Sequence, residues 1–109
     1  MKWLAGVLLL AAACVGAQTP DSQQRQTNFA RASMKYEGCV TTYARRYAKV
    51  QATPTEIATA AVDACTLELS DTVRTAGEAS TKYDWDAAKE SGHARAIRAV
   101  IEARADTMK

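Results

Sequence analysis

The sequence predicts an all-α fold: a small three-helix bundle built on a disulfide-stapled antiparallel helical hairpin. Beyond Gln18 the chain has two prolines and almost no alternation of β-branched residues, whereas Ala, Glu, Lys and Arg dominate. This composition favours helix throughout. Cys39 and Cys65 lie at equal distances on either side of Ala52, which predicts the staple. We expect one domain over residues 18–109, with helices at about 22–51, 54–78 and 84–108.

Residues 1–17 have the pattern of a secretory signal peptide. Lys2 supplies a positive charge, an apolar run extends from Leu4 to Ala13, and the small residues Val15-Gly16-Ala17 precede Gln18. A charged start, a short apolar run and a small-residue cleavage site are typical of such peptides. The run is too short for a permanent transmembrane helix. We therefore expect a bacterial protein that is periplasmic or secreted, with a mature N-terminus at Gln18.

Cys14 permits an alternative interpretation of the same segment. Bacterial lipoproteins are cleaved immediately before a cysteine that is then acylated. The sequence before Cys14 resembles that site poorly, since a leucine is usual where Ala11 stands. Cleavage after Ala17 is therefore the main prediction. The alternative is a lipid-anchored envelope component acylated at Cys14, and only in that case do we expect contact with a membrane.

The first predicted helix carries an apolar stripe with a heptad-like spacing on one face. The stripe consists of Phe29, Ser33, Tyr36, Val40, Tyr43, Tyr47 and Val50. We interpret its tyrosines as core residues whose hydroxyls reach the rim. A ligand groove lined by Tyr36, Tyr43 and Tyr47 is the alternative.

The second predicted helix has a clear start signal. Thr53 can cap it, Pro54 suits the first helical position, and Glu56 completes a capping box. Its apolar face consists of Ile57, Ala58, Ala61, Val62, Cys65, Leu69, Val73 and Ala76. If the chain folds back at Ala52, the two cysteines lie side by side, at the same level along the two helices of the hairpin. An exported chain with two remaining cysteines favours a disulfide, which would close a loop of about 27 residues and stabilise the fold by roughly 3–4 kcal/mol.

The third predicted helix starts near Asp84, whose carboxylate can cap it. Its predicted apolar arc consists of Tyr83, Ala94, Ile97, Val100 and Ile101. Gly92 lies inside this helix, where it costs about 1 kcal/mol relative to alanine.

No residue pattern predicts catalysis, a metal site or a cofactor. Glu90 and His93 form one Glu-x-x-His pair, whereas carboxylate-bridged metal bundles need two such pairs. Asp84 and Asp86 are explained as the cap and a first-turn acid of a helix. We therefore expect a protein that is not an enzyme, in which His93 is a half-exposed residue on the flank of its helix.

Charge is distributed unevenly along the chain. Residues 22–52 have a net charge of +5, and residues 54–80 a net charge of −4. The basic face of the first helix, opposite the apolar stripe, contains Arg31, Lys35, Arg45 and Lys49. We interpret these four as candidate partner-binding residues that would steer an anionic partner; a solvated surface without a partner is the alternative. Nothing in the composition points to nucleic acid.

In size, export signal and single disulfide the chain resembles small bacterial periplasmic helical proteins, among them the acid-stress chaperones. The resemblance concerns general type and involves no shared motif. It implies a non-enzymatic module that works by protein–protein contact, as a chaperone, an inhibitor or an adaptor.

Overall fold

The computed structural model describes residues 20–108, which form four α-helices and no β-strand. The helices are α1 (Pro20–Arg46), α2 (Pro54–Ala64), α3 (Thr66–Glu78) and α4 (Trp85–Thr107). The predicted all-α bundle is confirmed, and so is the Cys39–Cys65 disulfide. The predicted signal peptide and Cys14 lie outside the described residues.

Local sequence determines where α2 and α4 begin. The amide of Glu56 donates to Thr53 Oγ1 at 3.1 Å, and the Thr53 amide donates back to the Glu56 carboxylate at 3.4 Å. At the other helix the amide of Ala87 donates to Asp84 Oδ1 at 2.9 Å. Both predicted caps are therefore present, and each supplies an acceptor for an amide that the first helical turn leaves without one.

The second predicted helix is interrupted at Cys65, which separates α2 from α3. Cys65 has φ −103° and ψ 29°, outside the helical values, and no side chain caps the start of α3. Thr66 Oγ1 donates to the carbonyl of Asp63 at 2.6 Å, so a local side chain competes with the helical ladder at this point. The two segments pack differently: α2 lies mainly against α4, and α3 mainly against α1.

The first helix ends at Arg46 rather than near Gln51 as predicted. Beyond it, the carbonyls of Ala48, Val50 and Ala52 all accept hydrogen bonds from the Arg104 side chain of α4, at 2.7, 3.1 and 2.6 Å. A guanidinium with several donors can satisfy carbonyls that a helix end leaves without partners. A residue from a distant helix thus holds the turn between α1 and α2.

The buried stripe of α1 follows a period of four rather than the predicted heptad. Its buried residues are Ala32, Tyr36, Val40 and Ala44, and Ala48 continues the same spacing in the turn beyond the helix. Phe29 and Tyr43 are half-buried, whereas Tyr47 and Val50 are 38% and 51% exposed. The heptad prediction gave weight to large side chains and overlooked alanines, which let two helix backbones approach each other closely.

The predicted apolar arc of α4 is also partly wrong. The buried residues of this helix are Ala88, Gly92, Ala96, Ala99 and Val100. Of the predicted arc Val100 is buried, Tyr83 and Ile97 are half-buried, Ala94 is exposed, and Ile101 is 54% exposed. The core face of α4 is therefore a row of small residues that faces the alanines of α1.

Gly92 makes room for Tyr36 within this contact. A Cβ atom on Gly92 would lie 2.0 Å from the Tyr36 hydroxyl oxygen and 2.6 Å from Cζ, which is closer than real contacts allow. The same hydroxyl donates to the carbonyl of Ala88 at 3.1 Å. Gly92, treated in the sequence as a weak point of its helix, is thus a packing requirement.

The linker between α3 and α4 starts with a left-handed residue, Ser80, at φ 59°. Its amide donates to the carbonyl of Gly77, and the next amide, of Thr81, donates to Ala76. These two bonds form the Schellman arrangement that commonly ends helices. Further along, the ring of Tyr83 lies 5.7 Å from that of Phe29, which holds the linker against α1.

Candidate interaction surface

The disulfide joins the middle of α1 to the break between α2 and α3. The two Cα atoms of Cys39 and Cys65 are 6.0 Å apart, Cys65 is fully buried, and Cys39 is half-buried. Potential ligand atoms of both cysteines and of Glu68 lie within 4.8 Å of one another. Sulfurs bonded to each other offer no thiolate, so this cluster holds no soft metal ion in the oxidised protein.

His93 lies on the flank of α4, half-buried as expected. Its Nε2 atom is 3.3 Å from Thr59 Oγ1 of α2, within hydrogen-bonding distance. Both residues line an open cavity of about 300 Å³ between α2 and α4, together with Val62, Asp63, Lys89 and Glu90. The contact between His93 and Thr59 explains this histidine as part of the packing between two helices.

The four basic residues singled out in the sequence are all exposed, but they form two pairs with different surroundings. Arg31 and Lys35 line a cavity of about 170 Å³ together with the acidic residues Asp71 and Glu78 of α3. This pair therefore borders α3, the second part of the predicted second helix. The nearby acids partly offset its positive charge.

Those acids already have a cationic partner within α3. Arg74 forms ion pairs with both Asp71 and Glu78, the second at 2.9 Å. The hydrogen bond and the negative charge of Asp71 raise the pKa of Arg74 above its ordinary value. This side of the bundle is therefore a network of exposed charges of both signs.

The second pair, Arg45 and Lys49, lies at the end of α1. Neither side chain forms a hydrogen bond or an ion pair with any residue in the range 20–108, and the same is true of the Arg46 side chain. Three positive side chains without a partner among the described residues thus occur within five residues. They complement the negative end of the helix dipole, which is the simplest account of their position.

An apolar groove adjoins the end of α1, and Arg46 is one of its lining residues. We call it the tyrosine groove; it consists of two open cavities, of about 380 and 260 Å³, between α1 and α2. The first cavity is lined by Gly38, Cys39, Thr42, Tyr43, Arg46, Ala64 and Cys65, and the second by Tyr43, Tyr47, Val50, Ala52, Glu56, Ile57 and Ala60. The rings of Tyr43 and Tyr47 pack together with their centroids 4.5 Å apart.

The alternative interpretation of the tyrosines is thus partly supported. Tyr36 is core, as expected, whereas Tyr43 and Tyr47 line a groove. Arg46 was missed as a member of this surface. Its position seven residues after Cys39, on the same flank of α1, is the signal that would have identified it.

Among residues 20–108 no helix is both long enough and apolar enough to span a lipid bilayer. No protein-family model, curated protein or solved structure matches this chain. Function is therefore inferred from the surface of the described helices together with the N-terminal sequence.

Proposed function

We propose that this protein is an exported, non-enzymatic helical module that acts by binding another protein, as a chaperone, an inhibitor or an adaptor. The observation that carries the proposal is the end of α1, where the side chains of Arg45, Arg46 and Lys49 have no hydrogen bond or ion pair within residues 20–108 and Arg46 lines an apolar groove. Exposed apolar surface with a charged rim is characteristic of protein-binding sites.

Export is supported by the N-terminal sequence pattern and by the disulfide, a bond that persists in oxidising compartments. Intact-mass measurement of the protein recovered from cells should give a mature N-terminus at Gln18. A diacylglyceryl group on Cys14, or membrane attachment abolished by Cys14→Ser, would instead establish the lipid-anchored alternative.

The contact is tested by charge reversal at the end of α1. In a crosslinking pulldown from envelope extract, Arg45→Glu combined with Lys49→Glu should reduce recovery of bound protein severalfold. The loss should be greatest at low salt, because the Debye length falls from about 10 Å at 0.1 M to about 3 Å at 1 M.

The matched control is Arg31→Glu combined with Lys35→Glu, which changes the charge by the same amount on the same helix. Those residues lie beside Asp71 and Glu78, so we expect a smaller effect. His93→Ala should leave capture unchanged. If His93→Ala abolishes activity while both charge reversals have no effect, the contact proposal is wrong and the chemistry should be sought around Glu90 and His93.

A further inference from the structure

We infer that the tyrosine groove binds an acidic amphipathic helix of the partner protein, with its apolar side chains seated on either side of Tyr43. This inference rests on the proposed function and specifies the chemistry of the partner. It is carried by the shape of the groove, by the charge of its rim, and by polar groups in the groove that lack an internal partner.

The shape suits a helix. Both cavities lie between two antiparallel helices, and no residue of α4 lines either of them. Helices α1 and α2 pack on α4 elsewhere on their surfaces, so no described helix covers this side of the pair. A ligand helix laid along the groove would cover it as α4 covers the other side, which is the helix-in-groove mode of recognition.

The positions of the two apolar cavities determine how the apolar residues of a ligand helix should be spaced. Tyr43 separates the two cavities, which follow each other along α1 by roughly one to two helical turns of 5.4 Å. Leucine or phenylalanine residues at positions i and i+4 or i+7 of a ligand helix would enter them in turn. Tyr47 and Val50, 38% and 51% exposed, would lose their contact with water on binding.

The charges select an acidic ligand. Arg46 lines the groove itself, and Arg45 and Lys49 follow in the same part of the chain. Glu56, the acidic residue of the lining, is engaged in the capping box, where its carboxylate accepts hydrogen bonds from Thr53. The lining of the first cavity contains Arg46 and no acidic residue, so a carboxylate on the ligand would meet the Arg46 guanidinium there in a charge-assisted pair.

The hydroxyl groups of Tyr43 and Tyr47 are available to donate hydrogen bonds to the ligand. Among residues 20–108 neither the Tyr43 nor the Tyr47 hydroxyl forms a hydrogen bond, whereas the buried hydroxyl of Tyr36 does. Aromatic side chains with a polar tip are enriched at protein interfaces because they combine apolar area with a hydrogen bond.

The test uses a fluorescein-labelled synthetic helical peptide of about 16 residues, with leucines on one face and glutamates on the other. Fluorescence anisotropy should show binding to the wild-type protein. A peptide with glutamine in place of glutamate should bind about tenfold more weakly, since charge-assisted pairs are lost. Arg46→Gln should weaken binding of the glutamate peptide severalfold and leave that of the glutamine peptide nearly unchanged.

A variant that fills the groove tests the location of binding. Ala60→Trp places a large side chain in the second cavity, and we expect it to reduce binding of both peptides at least tenfold. Ala94→Trp, at an exposed alanine of α4, is the matched control and should bind like the wild type. Thermal unfolding monitored by circular dichroism verifies that each variant is folded.

Three results would overturn the inference: no binding of the glutamate peptide, equal binding to wild type and Ala60→Trp, or occupation of the groove by something else. Sedimentation equilibrium showing a dimer that Ala60→Trp dissociates would assign the groove to a second copy of this chain. Binding to phosphatidylglycerol vesicles but not to the peptide would assign it to lipid. If Arg45→Glu with Lys49→Glu loses the captured partner while Ala60→Trp retains it, the proposed function stands and the groove does not carry it.

Discussion

Helix α1 meets its neighbours along two contacts of different character. Its contact with α4 is closed: Tyr36 fits against Gly92 and donates a hydrogen bond to the carbonyl of Ala88. Its contact with α2 is open: Tyr43 and Tyr47 line a groove, and the disulfide joins the two sides near one end. Tyrosines of the predicted stripe therefore have opposite roles: Gly92 leaves room for Tyr36 in the core, whereas Tyr43 and Tyr47 line the groove.

The break at Cys65 explains the open contact. A continuous helix from Pro54 to Glu78 would pack along α1 over its whole length. Instead α3 packs mainly against α1, while α2 packs mainly against α4. The C-terminal part of α1 is therefore less covered by neighbouring helices than the rest of α1, and its apolar side chains remain at the surface.

The largest expected effect is loss of the disulfide, which tests how much the open contact depends on it. Cys39→Ala combined with Cys65→Ala should lower the free energy of unfolding by about 2–5 kcal/mol, measured by urea denaturation. Amide exchange should accelerate most around residues 62–68, because no side chain caps the start of α3. A wild-type unfolding midpoint that is unchanged by a thiol reductant would contradict this prediction.

The next effect tests the closed contact. Gly92→Ala should destabilise the protein by about 1–3 kcal/mol, because the added methyl group displaces the Tyr36 ring. Gly38→Ala is the matched control on α1: no atom lies within 4 Å of its added Cβ, so we expect a gain of about 0.5–1 kcal/mol. Thermal melts that shift in the same direction for both variants would show that Tyr36 is not held as described.

A smaller effect concerns the turn where the two contacts meet. Arg104→Met keeps most of the side-chain length but removes the donors to the carbonyls of Ala48, Val50 and Ala52. We expect a loss of about 1–2 kcal/mol, since the half-buried carbonyls can be partly solvated by water. Arg104→Lys keeps the charge but has a single donor group, so its stability should lie between those of Arg104→Met and the wild type. Equal stability of Arg104→Met and the wild type in urea would contradict the role of Arg104 as a hydrogen-bond donor to this turn.

The smallest effect depends on pH. Burial, and secondarily the neighbouring Tyr83, raises the pKa of Tyr36 from 10.0 to about 12. The unfolded chain therefore loses this proton at lower pH than the folded protein, and the stability gained is complete below pH 10 and lost as pH rises towards 12. Tyr36→Phe should cost about 1 kcal/mol at neutral pH, the value of a typical hydrogen bond.

The difference in stability between wild type and Tyr36→Phe should then fall by about 1 kcal/mol, and so nearly vanish, as the pH rises from 10 to 12. Tyr43→Phe, at the open contact, is the control and should cost little at neutral pH. Urea midpoints measured across this range give the comparison. A constant difference between wild type and Tyr36→Phe would contradict the described burial of the phenol.

The four basic residues of the predicted site have different surroundings for a physical reason. The four basic residues share a helix face, but their electrostatic surroundings depend on which part of the broken second helix lies beside them. Arg31 and Lys35 line a cavity together with acids of α3, whereas no acidic residue in the range 20–108 forms an ion pair with Arg45 or Lys49. Spacing along one helix contains no information about a break in another helix, so the two pairs looked equivalent.

The sequence by itself determined the all-α class, the caps at Thr53 and Asp84, and the pairing of Cys39 with Cys65. These features depend on short-range hydrogen bonds or on a symmetric spacing, both of which are visible along the chain. Tertiary structure decided the break at Cys65, the period-four alanine core and the requirement for Gly92. The alanine core and Gly92 follow from how closely two helices can approach, which depends on side chains that are far apart in sequence, and the break at Cys65 lies where the disulfide joins the chain to α1.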